Sequence, residues 1–118
     1  MYSSKLSNTS IEILENKKNT IFVSAISFWE ISLKHSLNKF DLLGIAPNVF
    51  PDLALQAGFE HLPLLAETAS NYHKLNATWH KDPFDRMLIW QAIQQNFTLI
   101  SKDANLAKYS SIGLKVIW

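Results

Sequence analysis

Short all-apolar runs alternate along the chain with longer stretches whose apolar residues recur every three or four positions, the pattern of buried strands feeding helices. Near the start, Leu6-Ser7-Asn8-Thr9-Ser10 precedes Ile11, Ile13 and Leu14, with Glu12 and Glu15 early and Lys17 and Lys18 late. These charges suit the helix dipole, so a short helix ending at Asn19 is predicted. Ile21, Phe22 and Val23 form a brief, partly β-branched run, and Ser24 is placed to cap a helix that continues to Leu37. Residues 41–58 read as a further helical region, open to breaks at Pro47 and Pro51. A second strand is predicted over 59–64, a helix over 65–75, a longer helix from Pro83 to about Gln95, and a third strand over 97–100. Asp103 then caps a short helix through Lys108, and 114–118 is the last strand.

Strands that are apolar throughout, alternating with helices, predict an α/β fold with a parallel sheet covered on both faces. The helix from Pro83 carries Phe84, Met87, Leu88, Ile89, Trp90, Ala92 and Ile93 nearly all around its axis, as expected of a helix enclosed by protein. Asp85, Ile89 and Ala92 share one side of it, which predicts an Asp85 close to apolar neighbours. No repeat, linker or low-complexity run divides the 118 residues, and 47% of them are hydrophobic, enough for a single domain with its own core.

Charge narrows the partners. Eleven basic and ten acidic residues leave a formal charge of +1, which excludes a strongly basic coat, so any nucleic-acid contact must be local. The absence of Cys excludes disulfides, thiolate metal sites and cysteine nucleophiles. The first residues lack the apolar core of a signal peptide and no later stretch could span a bilayer, so a cytoplasmic location is the default expectation.

Three carboxylates need an explanation. In His80-Lys81-Asp82-Pro83-Phe84-Asp85-Arg86, Pro83 suits the first helical position, Asp82 can cap from just before it, and Asp85 falls in the first turn. An oxygen-rich helix start suits hard cations and phosphate chemistry, and a capping-box arrangement accounts for the same residues. Glu30 follows Ile26 and precedes Leu33 and Leu37 at i, i+4, i+7, i+11 spacing, which puts the acid on the inward stripe of its helix. A buried charge there needs a cation, with Lys34, Arg86 or a metal ion as candidates. Asp103 follows a strand directly, where ligand sites of α/β folds cluster, and it is equally suited to be an ordinary cap. Ser101 is either a supporting hydroxyl or a turn residue. Arg86 can pair with Asp82 one turn back or hold RNA phosphate. His35, His61, His73 and His80 match no tight zinc spacing and are assigned surface or packing roles. No Gly-rich phosphate loop, nucleophile elbow or His-Glu-x-x-His motif is present.

Taken together, Val23-Ser24-Ala25-Ile26-Ser27-Phe28-Trp29-Glu30-Ile31, Lys81-Asp82-Pro83-Phe84-Asp85-Arg86, Thr98-Leu99-Ile100-Ser101-Lys102-Asp103 and the ending Val116-Ile117-Trp118 resemble the PIN-domain family, in particular VapC-type toxins of toxin–antitoxin pairs. The resemblance implies a three-layer α/β/α fold and a Mg²⁺- or Mn²⁺-dependent endoribonuclease acting on RNA, dimeric and inhibited by a VapB-like antitoxin. It gives metal-binding, catalytic roles to Glu30, Asp85 and Asp103, with Arg86, Ser101 and Lys34 as RNA-contacting or supporting residues. Members similar to this chain open with a hydrophobic strand ending in Asp, central in the sheet, and here Met1 stands after that strand. The expectation is therefore a sheet missing its central member and an acid cluster missing one ligand. Either a split or misassigned reading frame accounts for this, or the sheet is completed by dimerisation or rearranged pairing. Three functional readings follow: a nuclease, a non-catalytic module that keeps its dimer or antitoxin surface, or a small α/β protein whose acids are only caps and ion pairs.

Overall fold

The computed structural model of the chain describes residues 6–118. The elements are α1 (Asn8–Glu15), β1 (Phe22–Ser24), α2 (Ala25–Ser36), a 3₁₀ turn (Pro47–Val49), α3 (Phe50–Gln56), β2 (Glu60–Leu62) and α4 (Ala66–Ser70). A second 3₁₀ turn (Tyr72–Lys74), α5 (Pro83–Gln95), β3 (Thr98–Ile100), a 3₁₀ helix (Ala104–Ile112) and β4 (Lys115–Ile117) follow. They group into two compact units. One is built from the segments up to Asn19 and Ala66–Trp118, the other from Thr20–Leu65.

In the Thr20–Leu65 unit, β1 runs parallel to β2 with Phe22 opposite Glu60 and Ser24 opposite Leu62. The link between two parallel strands must cross over, and α2 and α3 supply it. Ser24 ends β1 and caps α2, its hydroxyl accepting from the Ile26 N–H at 3.1 Å, so the strand passes into the helix without a loop. Ile26 is buried, but Leu33 and Leu37 are exposed, so the predicted inward stripe is covered only in its first turn. Residues 41–46 are not helical, because Leu43 (φ 56°) and Gly44 (φ 83°) both adopt left-handed backbone. Pro47 opens the 3₁₀ turn and Pro51 sits in the first turn of α3, where a missing N–H costs nothing.

The other unit holds the core of Leu75, Ile89, Trp90, Ala92, Leu106, Tyr109 and Leu114. The helix expected to be enclosed is enclosed: α5 buries Phe84 and the consecutive run Ile89, Trp90, Gln91 and Ala92, which points in every direction around the axis. Trp90 donates its indole N–H to the Thr68 carbonyl at 2.9 Å, fastening α5 to α4. The turn after α5 is made by Asn96 in left-handed backbone (φ 58°), a residue type that tolerates it. The chain then reverses into β3, parallel to β4 with Leu99 opposite Val116.

The α/β composition and the parallel sense of pairing agree with the pattern of the chain. Two points differ. The four strands form two separate two-stranded ladders among the described residues, not one sheet, because each strand bonds only the next one in its own unit. In β2 both Glu60 and His61 are exposed, so that strand is not covered on both faces.

Candidate active site

Asp85 and Asp103 belong to the same unit, and the fold brings their segments together. Helix α5 and strand β3 are joined by a tight reversal, which sets the start of α5 at the end of the unit where β3 finishes. A hydrogen bond joins the two segments there: His80 Nε2 lies 2.8 Å from Asp103 Oδ2. His80 precedes α5 by three residues, and Asp103 follows β3 by three.

Asp82 is the N-cap of α5, its Oδ1 accepting from the N–H groups of Phe84 at 2.9 Å and Asp85 at 3.1 Å. It is thus held by the helix start. Asp85 departs from expectation in being exposed. The first turn sends Phe84 inward, Asp85 stands about 100° further round, and the continuously buried part of α5 begins only at Ile89.

Asp103 also caps, its Oδ1 accepting from the Asn105 N–H at 2.9 Å. With Oδ2 on His80, both carboxylate oxygens are engaged. The hydrogen bond from His80, then that from the Asn105 N–H, holds the Asp103 carboxyl below its ordinary value of 3.8. Ser101 shapes the same loop: its hydroxyl accepts from the Asp103 N–H at 3.2 Å, and its own N–H donates to the Ile117 carbonyl at 3.0 Å. A shallow cavity of about 180 Å³ opens here, lined by Ser101, Lys102, Asp103 and Trp118 among others.

Glu30 lies in the Thr20–Leu65 unit. Its Oε2 is hydrogen-bonded by Lys34 Nζ in an i, i+4 ion pair, one of the cations its spacing called for. Such a pair contributes about 0.5 kcal/mol or less. Arg86, by contrast, pairs with neither Asp82 nor Glu30. Its Nε donates to the Tyr72 hydroxyl at 2.6 Å, Nη1 to the carbonyls of Ala77 at 2.5 Å and His80 at 3.2 Å, and Nη2 to that of Leu75 at 2.9 Å. The planar fork is committed to the segment before α5, since an irregular backbone needs partners for its carbonyls.

His80 matches no metal-ligand spacing in the sequence. Its contact with Asp103 is tertiary, since the two stand 23 positions apart. The one local signal was its place two residues before Asp82 in the acidic segment.

In donor chemistry the three carboxylates suit a hard divalent cation, which takes oxygen ligands. In arrangement, Glu30 is engaged by Lys34 and Asp103 by His80 and Asn105. Among the described residues no group of three or more His, Asp or Glu side chains is gathered to hold an ion. Nor, among those residues, is any helix long and apolar enough to cross a membrane.

A comparison with curated proteins finds no match. The model of the PIN domain family matches residues 2–112. PIN domains are generally nucleases that use divalent metal ions and act on RNA or DNA. With the match spanning nearly all of its length and with parallel strand pairs alternating with helices, the chain belongs to the PIN domain family.

Proposed function

We propose that the chain is a single-domain, cytoplasmic endoribonuclease of the VapC toxin type, dependent on Mg²⁺ or Mn²⁺, with Glu30, Asp85 and Asp103 as its metal-binding acids. The observation that supports this most is the 2.8 Å bond from His80 to Asp103, because it joins the segment leading into α5, which bears Asp85, to the loop that follows β3 and bears Asp103. A bound ion would polarise the scissile phosphate and lower the pKa of an attacking water. The protein's own part is to hold the carboxylates and to attract RNA through a few cations. Lys81 and Lys102 flank Asp85 and Asp103 in sequence, and Lys34 sits beside Glu30. With a net charge of only +1, RNA binding should weaken shallowly with salt.

A protein partner belongs to the same reading. Trp29 and Leu33 on α2 and Leu37 at its end recur at i, i+4, i+8 and are all exposed, an apolar stripe of the kind that marks association surfaces. A VapB-like antitoxin or a second copy of the chain would cover it. The stripe equally favours the second reading, a non-catalytic module that retains only this surface.

Cleavage of single-stranded RNA in millimolar Mn²⁺ separates the two. Cleavage is expected to stop on chelation and to fall in Asp85→Asn and in Asp103→Asn by at least the roughly 10- to 100-fold that losing an outer-shell partner of a metal site costs. A wild-type chain that forms dimers but leaves RNA intact at every Mn²⁺ concentration is the non-catalytic module.

A further inference from the structure

Residues 75–82 form neither helix nor strand, yet their backbone is held at several points by side chains from elsewhere in the unit. The Arg86 fork takes the carbonyls of Leu75, Ala77 and His80, and the Tyr72 hydroxyl fixes the guanidinium from behind at 2.6 Å. Within the same segment, the His80 N–H donates to the Tyr109 hydroxyl at 2.9 Å. Tyr109 is fully buried, so this hydroxyl is a fixed point. The backbone of His80 is therefore held at both its N–H and its C=O, the first by the buried core residue Tyr109 and the second by the half-buried Arg86.

The imidazole is oriented by the same frame. Its ring lies tilted against Tyr109 with centroids 5.6 Å apart. Its Nδ1 is enclosed and has no hydrogen-bond partner, so no second polar contact competes for the ring's direction. A carboxylate only accepts hydrogen bonds, so Nε2 is the donor to Asp103 Oδ2 at 2.8 Å. With Oδ1 already on the Asn105 N–H, this bond fixes the plane of the Asp103 carboxylate. Partners of this kind orient acids that bind metals without binding the metal themselves.

We propose that Arg86 and Tyr109 hold His80 so that His80 positions the Asp103 carboxylate, which makes His80 and Arg86 positioning residues of the active site and not contacts to RNA. This rests on Asp103 being an active-site acid, as proposed above. The bonding chain from Arg86 through His80 to Asp103 is itself measurable without activity.

The test uses the full chain in two arms. In the metal-free protein at neutral pH, the ¹³C signal of the Asp103 carboxyl is compared in wild type, His80→Ala, His80→Gln and Arg86→Lys. His80→Ala and Arg86→Lys are expected to move it in the same direction, and His80→Gln, which keeps an amide donor, to return it toward wild type. In the second arm, cleavage of RNA with Mn²⁺ should lose kcat by about 10- to 100-fold in His80→Ala and Arg86→Lys, with KM and salt dependence unchanged. An Asp103 signal indifferent to Arg86→Lys overturns the proposal. So does a KM that rises in Arg86→Lys while the salt slope falls by about 1, the mark of a phosphate contact. If Arg86→Lys does not fold, Tyr72→Phe removes a single contact of the fork and must shift the same signal. Should wild type cleave no RNA, the nuclease reading fails, and the first arm still decides whether Arg86 orients Asp103.

Discussion

At the scale of single residues, Asp103 is the group whose surroundings leave the clearest trace. Its carboxyl is held below 3.8 by the hydrogen bond from His80 and by the Asn105 N–H, so the folded state binds its proton less readily than the unfolded chain does. The linkage has one sign: the contribution to stability is present above the unfolded value and is lost as pH falls through the lowered folded one. An NMR titration of the Asp103 carboxyl should therefore show a midpoint below 3.8, and His80→Ala should raise it. A midpoint at or above 3.8 in wild type would mean that the His80 contact is not kept in solution. This acid also marks the limit of what a sequence discloses about a site. That Asp103, Asp82 and Ser24 cap helices is legible, because a cap and the N–H groups it serves are two or three positions apart. The Glu30–Lys34 pair is legible for the same reason, one helical turn. His80 reaching Asp103, and Arg86 turning to the carbonyls of 75, 77 and 80, depend on where loops come to rest, and no local spacing encodes that.

Among the elements, α5 carries the most consequence because it bears Asp85, presents the capping Asp82 and fills the core of its unit. Its start is set by a proline that has no N–H to satisfy and by one carboxylate oxygen serving two N–H groups. Asp82→Ala should thus cost about 1 kcal/mol, within the 0.5–2 range for lost caps, read as a lower denaturation midpoint with an unchanged slope. Asp82→Asn, which keeps the acceptor, should cost much less. If both variants lose the same amount, the charge of Asp82 and not its capping bond is what stabilises the helix. The elements most faithfully foreshadowed are those with strong periodicity or punctuation, α2 after Ser24 and α5 after Pro83. Residues 41–46 carry no Pro to mark a break, and yet they form no helix. The left-handed backbone at Leu43 is sterically unfavourable for that residue type, and it is accompanied by a local hydrogen bond from the Leu43 N–H to Asp41 Oδ1 at 2.9 Å. Residues 65–75 came out as a short helix followed by a 3₁₀ turn, a difference that composition does not reveal.

For the whole molecule, the decisive asymmetry is in burial. The core cluster lies wholly within the unit that contains Ala66–Trp118. In Thr20–Leu65 the buried residues are Ser24 and Ile26, while ten of the twelve exposed large apolar side chains belong to that unit. Local opening costs least where few apolar contacts must be broken. Amide hydrogen exchange under native conditions should therefore release β1, α2 and β2 well before α5, β3 and β4, with the slowest amides in the run from Ile89 to Ala92. The alternation of strands and helices foretold the parallel pairs, but it could not foretell this imbalance, since the same apolar residues read as core whether or not anything covers them. A partner seated on Trp29, Leu33 and Leu37 would bind only the closed form of this unit and so raise its opening free energy according to ligand concentration over Kd. The exchange experiment thus has a second outcome worth reading. If raising the protein concentration slows exchange in α2 selectively, a second copy covers the stripe. If exchange in both units is equally slow and indifferent to concentration, the two units open as one and the apolar stripe confers no local weakness.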